Sequence, residues 1–160
     1  MRWVVSLLCI FAGIGGPAHA QRSYGYFIAG PGASANGEST ATLQLAGGVE
    51  GTLGKGVGIG AELGALGPMK SFSDVLGVFS ANGYYHLYGG DTSRKGDPFV
   101  TGGYTMFFRS GRSNLFNLAA GVNYWLHDRI GLRLEFRDHI RTPGRGTVHF
   151  FNLRVGLIVR

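Results

Sequence analysis

Charged side chains at alternate positions are the first candidates for chemistry. Arg133, Glu135 and Arg137 stand two residues apart, and Glu50, Glu62 and Arg154 recur inside apolar or glycine-rich stretches. Together they can line a narrow gated pore, or pair with one another and fill a closed interior. Histidines come next. His86, His127, His139 and His149 lie on separate stretches without a spacing such as H-x-x-x-H, so they read as interfacial or loop side chains rather than metal ligands. Neither Ser110 nor Ser113 stands in an obvious nucleophile relation to His139 or His149. Gly51-Thr52-Leu53-Gly54-Lys55-Gly56 has the look of a phosphate loop but lacks its spacer and the Ser or Thr after Lys55, and reads as strand packing. Arg109, Arg112, Arg141 and Arg145 remain, four guanidiniums whose planar forks suit phosphate oxygens. No cofactor is implied.

The elements that position these residues follow from composition and periodicity. The chain has 160 residues, 29 of them Gly, with 44% apolar and only 15% charged residues. Glycine is far above its ordinary share of about 7%, and its spacing has no period of three, which excludes collagen. Too few charged helix formers are present for a coiled coil, and too many apolar residues for a disordered chain. Arg2 followed by the apolar run 3–14 and by Ala18-His19-Ala20 reads as a cleaved export signal over 1–20, leaving 21–160 as the mature domain. The single Cys, Cys9, falls in that leader, so the mature domain has no disulfide framework and no thiol nucleophile. No later run approaches the roughly 18–20 apolar residues that a membrane-spanning helix needs.

The dominant period is two. Eight runs alternate in this way: Ser23–Gly32, Thr40–Thr52, Gly56–Leu66, Val75–Tyr88, Phe99–Phe108, Leu115–His127, Ile130–His139 and Val148–Arg160. Turn-forming residues separate them at Ala33–Ser39, Leu53–Lys55, Gly67–Asp74, Gly89–Pro98, Arg109–Asn114, Asp128–Arg129 and Ile140–Thr147. In the third run Val57, Ile59, Ala61, Leu63 and Ala65 share one face, against Gly58, Gly60, Glu62 and Gly64 on the other. Leu132, Leu134 and Phe136 likewise oppose Arg133, Glu135 and Arg137. A wetted face made largely of glycine would only weaken its strands. A crowded interior explains it, with glycines leaving room for the arms of Arg133, Arg137 and Arg154. The apolar faces then turn outward, and the run lengths suit tilted membrane strands of about 9–11 residues. Tyr24, Tyr26, Tyr84, Tyr85, Tyr88, Tyr104, Phe107, Phe108, Tyr124 and Trp125 fall near run ends, where rings at headgroup level are expected.

The fold class expected is therefore all-β, an eight-stranded antiparallel up-and-down transmembrane barrel. The stretches Ala46–Gly51, Gly58–Gly64, Gly121–Leu126 and Ile130–His139 carry a resemblance to the small eight-stranded outer-membrane barrels of the outer-membrane protein A and X type. It implies a cell-outer-membrane location, both termini in the periplasm, and contact with outer-membrane lipid, lipopolysaccharide and the assembly machinery. In that family the last strand usually ends on an aromatic residue, whereas this chain ends on Val159-Arg160. Phe136-Arg137-Asp138-His139-Ile140 is similar to part of the active-site motif of the outer-membrane lipid A deacylases, which are barrels too. Their serine position is occupied here by Arg141.

The expected function is thus a non-enzymatic outer-membrane barrel contributing to envelope integrity or surface interaction. Glu50, Glu62, Arg133, Glu135, Arg137 and Arg154 would form its interior network. Arg109, Arg112, Arg141 and Arg145 would face lipopolysaccharide phosphates. Nucleic acid is not an expected partner of an exported barrel, despite the formal charge of +6. The alternatives are a lipid A modifying enzyme and a secreted soluble barrel holding an apolar ligand inside.

Overall fold

The structure is a computed structural model that describes residues 22–36, 38–70, 74–89, 94–142 and 146–160. The leader expected over 1–20 and Arg145 lie outside the described residues. Eight strands follow in chain order: β1 (Ser23–Asn36), β2 (Glu38–Gly54), β3 (Val57–Pro68), β4 (Leu76–His86), β5 (Gly96–Phe108), β6 (Arg112–Trp125), β7 (Ile130–Arg141) and β8 (Val148–Val159). Each pairs antiparallel with its chain neighbour, and β1 pairs with β8 to close the barrel.

All eight alternating runs are strands, but several turns are tighter than expected. β1 and β2 continue through Ala33–Ser39 until Asn36 and Glu38 are directly opposite. Phe108 pairs with Arg112, so only residues 109–111 connect β5 to β6 and Arg112 belongs to a strand. β7 runs on to Arg141, which pairs with Val148. β5 begins at Gly96, which moves Asp97 from the expected turn into the wall, while β4 stops at His86 rather than Tyr88. In β1, β2, β5 and β6 the ladder continues through residues such as Gly, Ser, Asn and Asp, because backbone pairing does not require an apolar side chain.

The facing of the strands is inverted relative to a soluble barrel. Phe116 is 72% exposed on the outer wall and Leu63 61%, whereas Arg133, Arg137 and Arg154 inside are at 0%. That disposes of the soluble barrel with an apolar interior, which needed the opposite parity inside. The aromatic expectation is corrected in part. Tyr85, Tyr88, Tyr104, Phe108 and Tyr124 face outward, but Tyr24, Tyr26, Tyr84, Phe107 and Trp125 share the inward parity and are buried. Position near a strand end does not outweigh parity.

The inward glycines serve closure more than they serve arginine. At Gly48 a Cβ would lie 2.4 Å from the Tyr26 ring, and at Gly121 it would meet both the Leu134 carbonyl at 2.5 Å and the Phe99 ring at 2.6 Å. The β1–β8 seam is tighter still: 1.8 Å from the Leu153 carbonyl at Gly30, 1.9 Å from the Phe27 carbonyl at Gly156. A barrel this narrow bends its strands strongly, and bare backbone is what lets neighbours approach.

The β2–β3 turn shows a different need for glycine. Gly54, Lys55 and Gly56 all have positive φ, at 121°, 51° and 82°. The Gly56 carbonyl accepts the His86 N–H at 2.7 Å, and a Cβ at Gly56 would lie 2.4 Å from the His86 oxygen. Lys55 is the one non-glycine residue with positive φ among the described residues. Asn tolerates that region better than Lys. Lys55→Asn is expected to raise stability by about 0.5–1 kcal/mol. The check is the urea midpoint of the refolded barrel; an unchanged or lower midpoint refutes the assignment.

Candidate functional site

The lumen holds a continuous chain of ion pairs. It begins near the end that carries both termini, where His86 at the close of β4 lies between two carboxylates. Its Nε2 is 2.5 Å from Glu50 Oε1 and its Nδ1 2.7 Å from Asp97 Oδ2. Glu50 Oε2 accepts from Arg133 Nη1 at 3.3 Å, and Arg133 Nε donates to Glu135 Oε2 at 3.2 Å. Glu135 Oε1 then receives both Arg137 Nε, at 2.7 Å, and Arg154 Nη2. Arg154 forks onto Glu62, with Nη1 to Oε1 at 2.6 Å and Nη2 to Oε2 at 3.0 Å. Arg137 Nη1 is 3.6 Å from the same Oε1. Isolated buried charges are prohibitively costly, so such a set persists only when each member is paired and hydrogen-bonded.

Aromatic rings complete the surroundings of Arg133. Its guanidinium carbon lies 4.0 Å from the Phe99 ring centre, 4.4 Å from that of Tyr26 and 5.4 Å from that of Tyr84. Cation–π attraction is strongest in such a desolvated setting. The Tyr26 hydroxyl donates to Glu62 at 3.2 Å and is 3.0 Å from the Tyr84 hydroxyl. Beyond the charges lies a neutral polar layer. Asn117 Nδ2 donates to Thr105 Oγ1 at 2.9 Å, and Ser80 and Thr105 hydroxyls are 2.8 Å apart. His139 belongs to this layer, with Nδ1 3.2 Å from Thr105 and its ring edge-on to Phe107. The end away from the termini is closed by Leu66, Val78, Phe107 and Leu115, with Leu76 and Phe150 packed against them.

A narrow closed barrel, apolar outside and filled by ion pairs, can be compared with known structures. It superposes on Neisserial surface protein A with TM-score 0.69 at 15% identity, covering 88% of this chain and 99% of that one. For the N-terminal β-barrel domain of Pseudomonas aeruginosa OprF the values are 0.60, 15%, 88% and 99%. For the outer membrane protein OprG of the same organism they are 0.56, 12%, 89% and 97%. Its fold is that of the small eight-stranded outer-membrane barrels. No protein-family model and no curated protein sequence matches the chain.

Within this outer-membrane barrel fold the sequence-derived residues divide into two groups. Glu50, Glu62, Arg133, Glu135, Arg137 and Arg154 are brought together inside, all buried. Arg109, Arg112 and Arg141 are at the opposite end from the termini and exposed. The histidines are corrected. His86 and His139 are at 0% exposure inside the barrel, not at its surface or in loops, because they share inward parity with Tyr84 and Arg137. His127 is exposed in the β6–β7 turn. His149 is on the outer wall, its Nδ1 2.7 Å from Asp138 Oδ2 and its ring stacked on Phe151. Sequence reasoning missed His86 and Asp97 as network members, together with the Phe99, Tyr26 and Tyr84 cage. Parity with Asn82 and Tyr84 was the available signal for His86. Asp97 gave none, since Gly96-Asp97-Pro98 reads as a turn.

Proposed function

We propose that this chain is an exported, non-enzymatic barrel of the outer membrane that contributes to envelope integrity or surface interaction. The leader over 1–20 would carry it across the inner membrane, and both termini would stand in the periplasm. The observation that carries the reading is the inverted facing: a ring of exposed Phe, Leu, Ile and Val around a buried ionic interior. In water an apolar surface of that extent leads to aggregation, whereas in a bilayer it is the solvated face. Closure of the sheet satisfies every strand edge, as the hydrocarbon region demands.

The deacylase-like alternative loses support from two placements. His139 is sealed in the lumen against Thr105 and Phe107, and the position two residues on is Arg141, which offers no nucleophile. The partners that fit are outer-membrane lipid, lipopolysaccharide and the assembly machinery.

The test is expression of the full chain in a Gram-negative host, followed by fractionation and electrophoresis with and without boiling. Recovery in the outer membrane with a boiling-dependent change in mobility is the expected result. A periplasmic product of single mobility overturns the reading.

A further inference from the structure

The tip of the β5–β6 hairpin is amphipathic in a way that selects a ligand. A concavity of about 380 Å³ opens there on the outside of the barrel, lined by Met106, Phe108, Arg109, Ser110, Gly111 and Arg112. Its lower part continues the apolar wall, because Met106 and Phe108 share outward parity with Tyr104 and Val100. Its upper part is cationic. The Arg109 N–H donates to the Gly111 carbonyl at 3.1 Å, which folds the connection back on itself, and Arg109, Ser110 and Arg112 all line the concavity. Asp74, just before β4, holds the Arg109 side chain at 3.2 Å. Arg112 is exposed and has no ion-pair partner among the described residues.

Neither half explains the other on its own. A small soluble anion would gain nothing from Met106 and Phe108, and a plain hydrocarbon chain would gain nothing from two guanidiniums. An amphiphile with a phosphate on an acyl chain uses both halves. Resting on the membrane reading above, we propose that this hairpin tip is a binding site for a phosphate-bearing lipid of the surrounding leaflet. Arg112 and Arg109 take the phosphate with their planar forks, Ser110 adds a hydroxyl donor, and the acyl chain lies along Met106 and Phe108. Arg141, at the end of β7, does not line the concavity and takes no part.

The experiment uses the full mature chain refolded into phosphatidylcholine vesicles containing a minority of phosphatidylglycerol, then extracted gently for native mass spectrometry. Wild type is expected to retain phosphatidylglycerol in preference to phosphatidylcholine. Arg112→Gln should weaken that preference about fivefold, and the double change with Arg109→Gln more, at roughly 1 kcal/mol per arginine near an anionic lipid surface. Arg141→Gln should leave it unchanged, and free inorganic phosphate should not displace the lipid. A barrel that enters the vesicles and shifts on boiling, yet holds the two lipids equally, overturns the site alone. So does an equal loss from Arg141→Gln, which would mean diffuse attraction to the whole rim. Displacement by inorganic phosphate would also overturn it, as the acyl chain would then contribute nothing. A chain that never enters the vesicles overturns the membrane reading and this site with it.

Discussion

Glu135→Ala is expected to lower the stability of the folded barrel by about 3–5 kcal/mol, the usual cost of breaking a buried ion pair by removing one partner. Glu135 is the junction of the lumen. Its two oxygens receive Arg133, Arg137 and Arg154, so its loss leaves three guanidiniums on Glu50 and Glu62. All of them are at or near zero exposure, so water cannot take over the missing hydrogen bonds without opening the barrel. The measurement is the urea midpoint in detergent, followed by the boiling-dependent mobility shift. Glu135→Gln, which keeps the shape and one acceptor, should fall between wild type and alanine. Removing a partner as well, in Glu135→Ala with Arg137→Met, should recover part of the loss. A Glu135→Ala variant with the wild-type midpoint would show that the pairs do not hold the interior.

Gly156→Val should be more severe and prevent closure altogether. The Phe27 carbonyl stands 1.9 Å from where its Cβ would be, and the Ile28 Cα 2.6 Å away. Both atoms are backbone on the strand that β8 must join, so no rotamer change relieves the clash. Gly30 faces the same seam from β1, against the Leu153 carbonyl. The expected result is a chain that runs at one mobility whether boiled or not. Gly83→Val is the control. It points outward, and the nearest atom its Cβ would meet is the Gly102 carbonyl at 3.9 Å, so this variant should fold. If Gly156→Val shows the normal shift, the seam is not as tight as described.

How far the sequence foretold this structure depended on the kind of signal. Alternation with one apolar face is strong, because a slip of one residue would reverse every side chain. The faces of Val57–Ala65 and Leu132–Phe136 were legible for that reason, and so were the six network residues on the opposite parity. Strand ends were less legible. Ala33–Asn36 and Arg112–Asn114 have the residues of loops but the hydrogen bonds of a ladder. The interior aromatics were misplaced by a competing cue, since Tyr24 and Trp125 near strand ends look like interfacial rings. Cross-barrel partners were not legible at all. Nothing local in Arg154 points to Glu62, 92 positions away, because that contact exists only once β8 has met β1.

That separation bears on the order of events during assembly. The only charges that the first three strands contribute to the network are the carboxylates of Glu50 and Glu62, while β7 and β8 contribute all its guanidiniums. The first three strands placed alone in hydrocarbon would carry two carboxylates without their arginines, and the last two strands an excess of positive charge. Neither half is a tolerable passenger in a bilayer by itself. Charge neutrality is reached only when the two halves of the chain face each other across the lumen. On the outer-membrane reading, ring closure is thus the step that pairs these charges, and entry into the membrane is expected to be coupled to it.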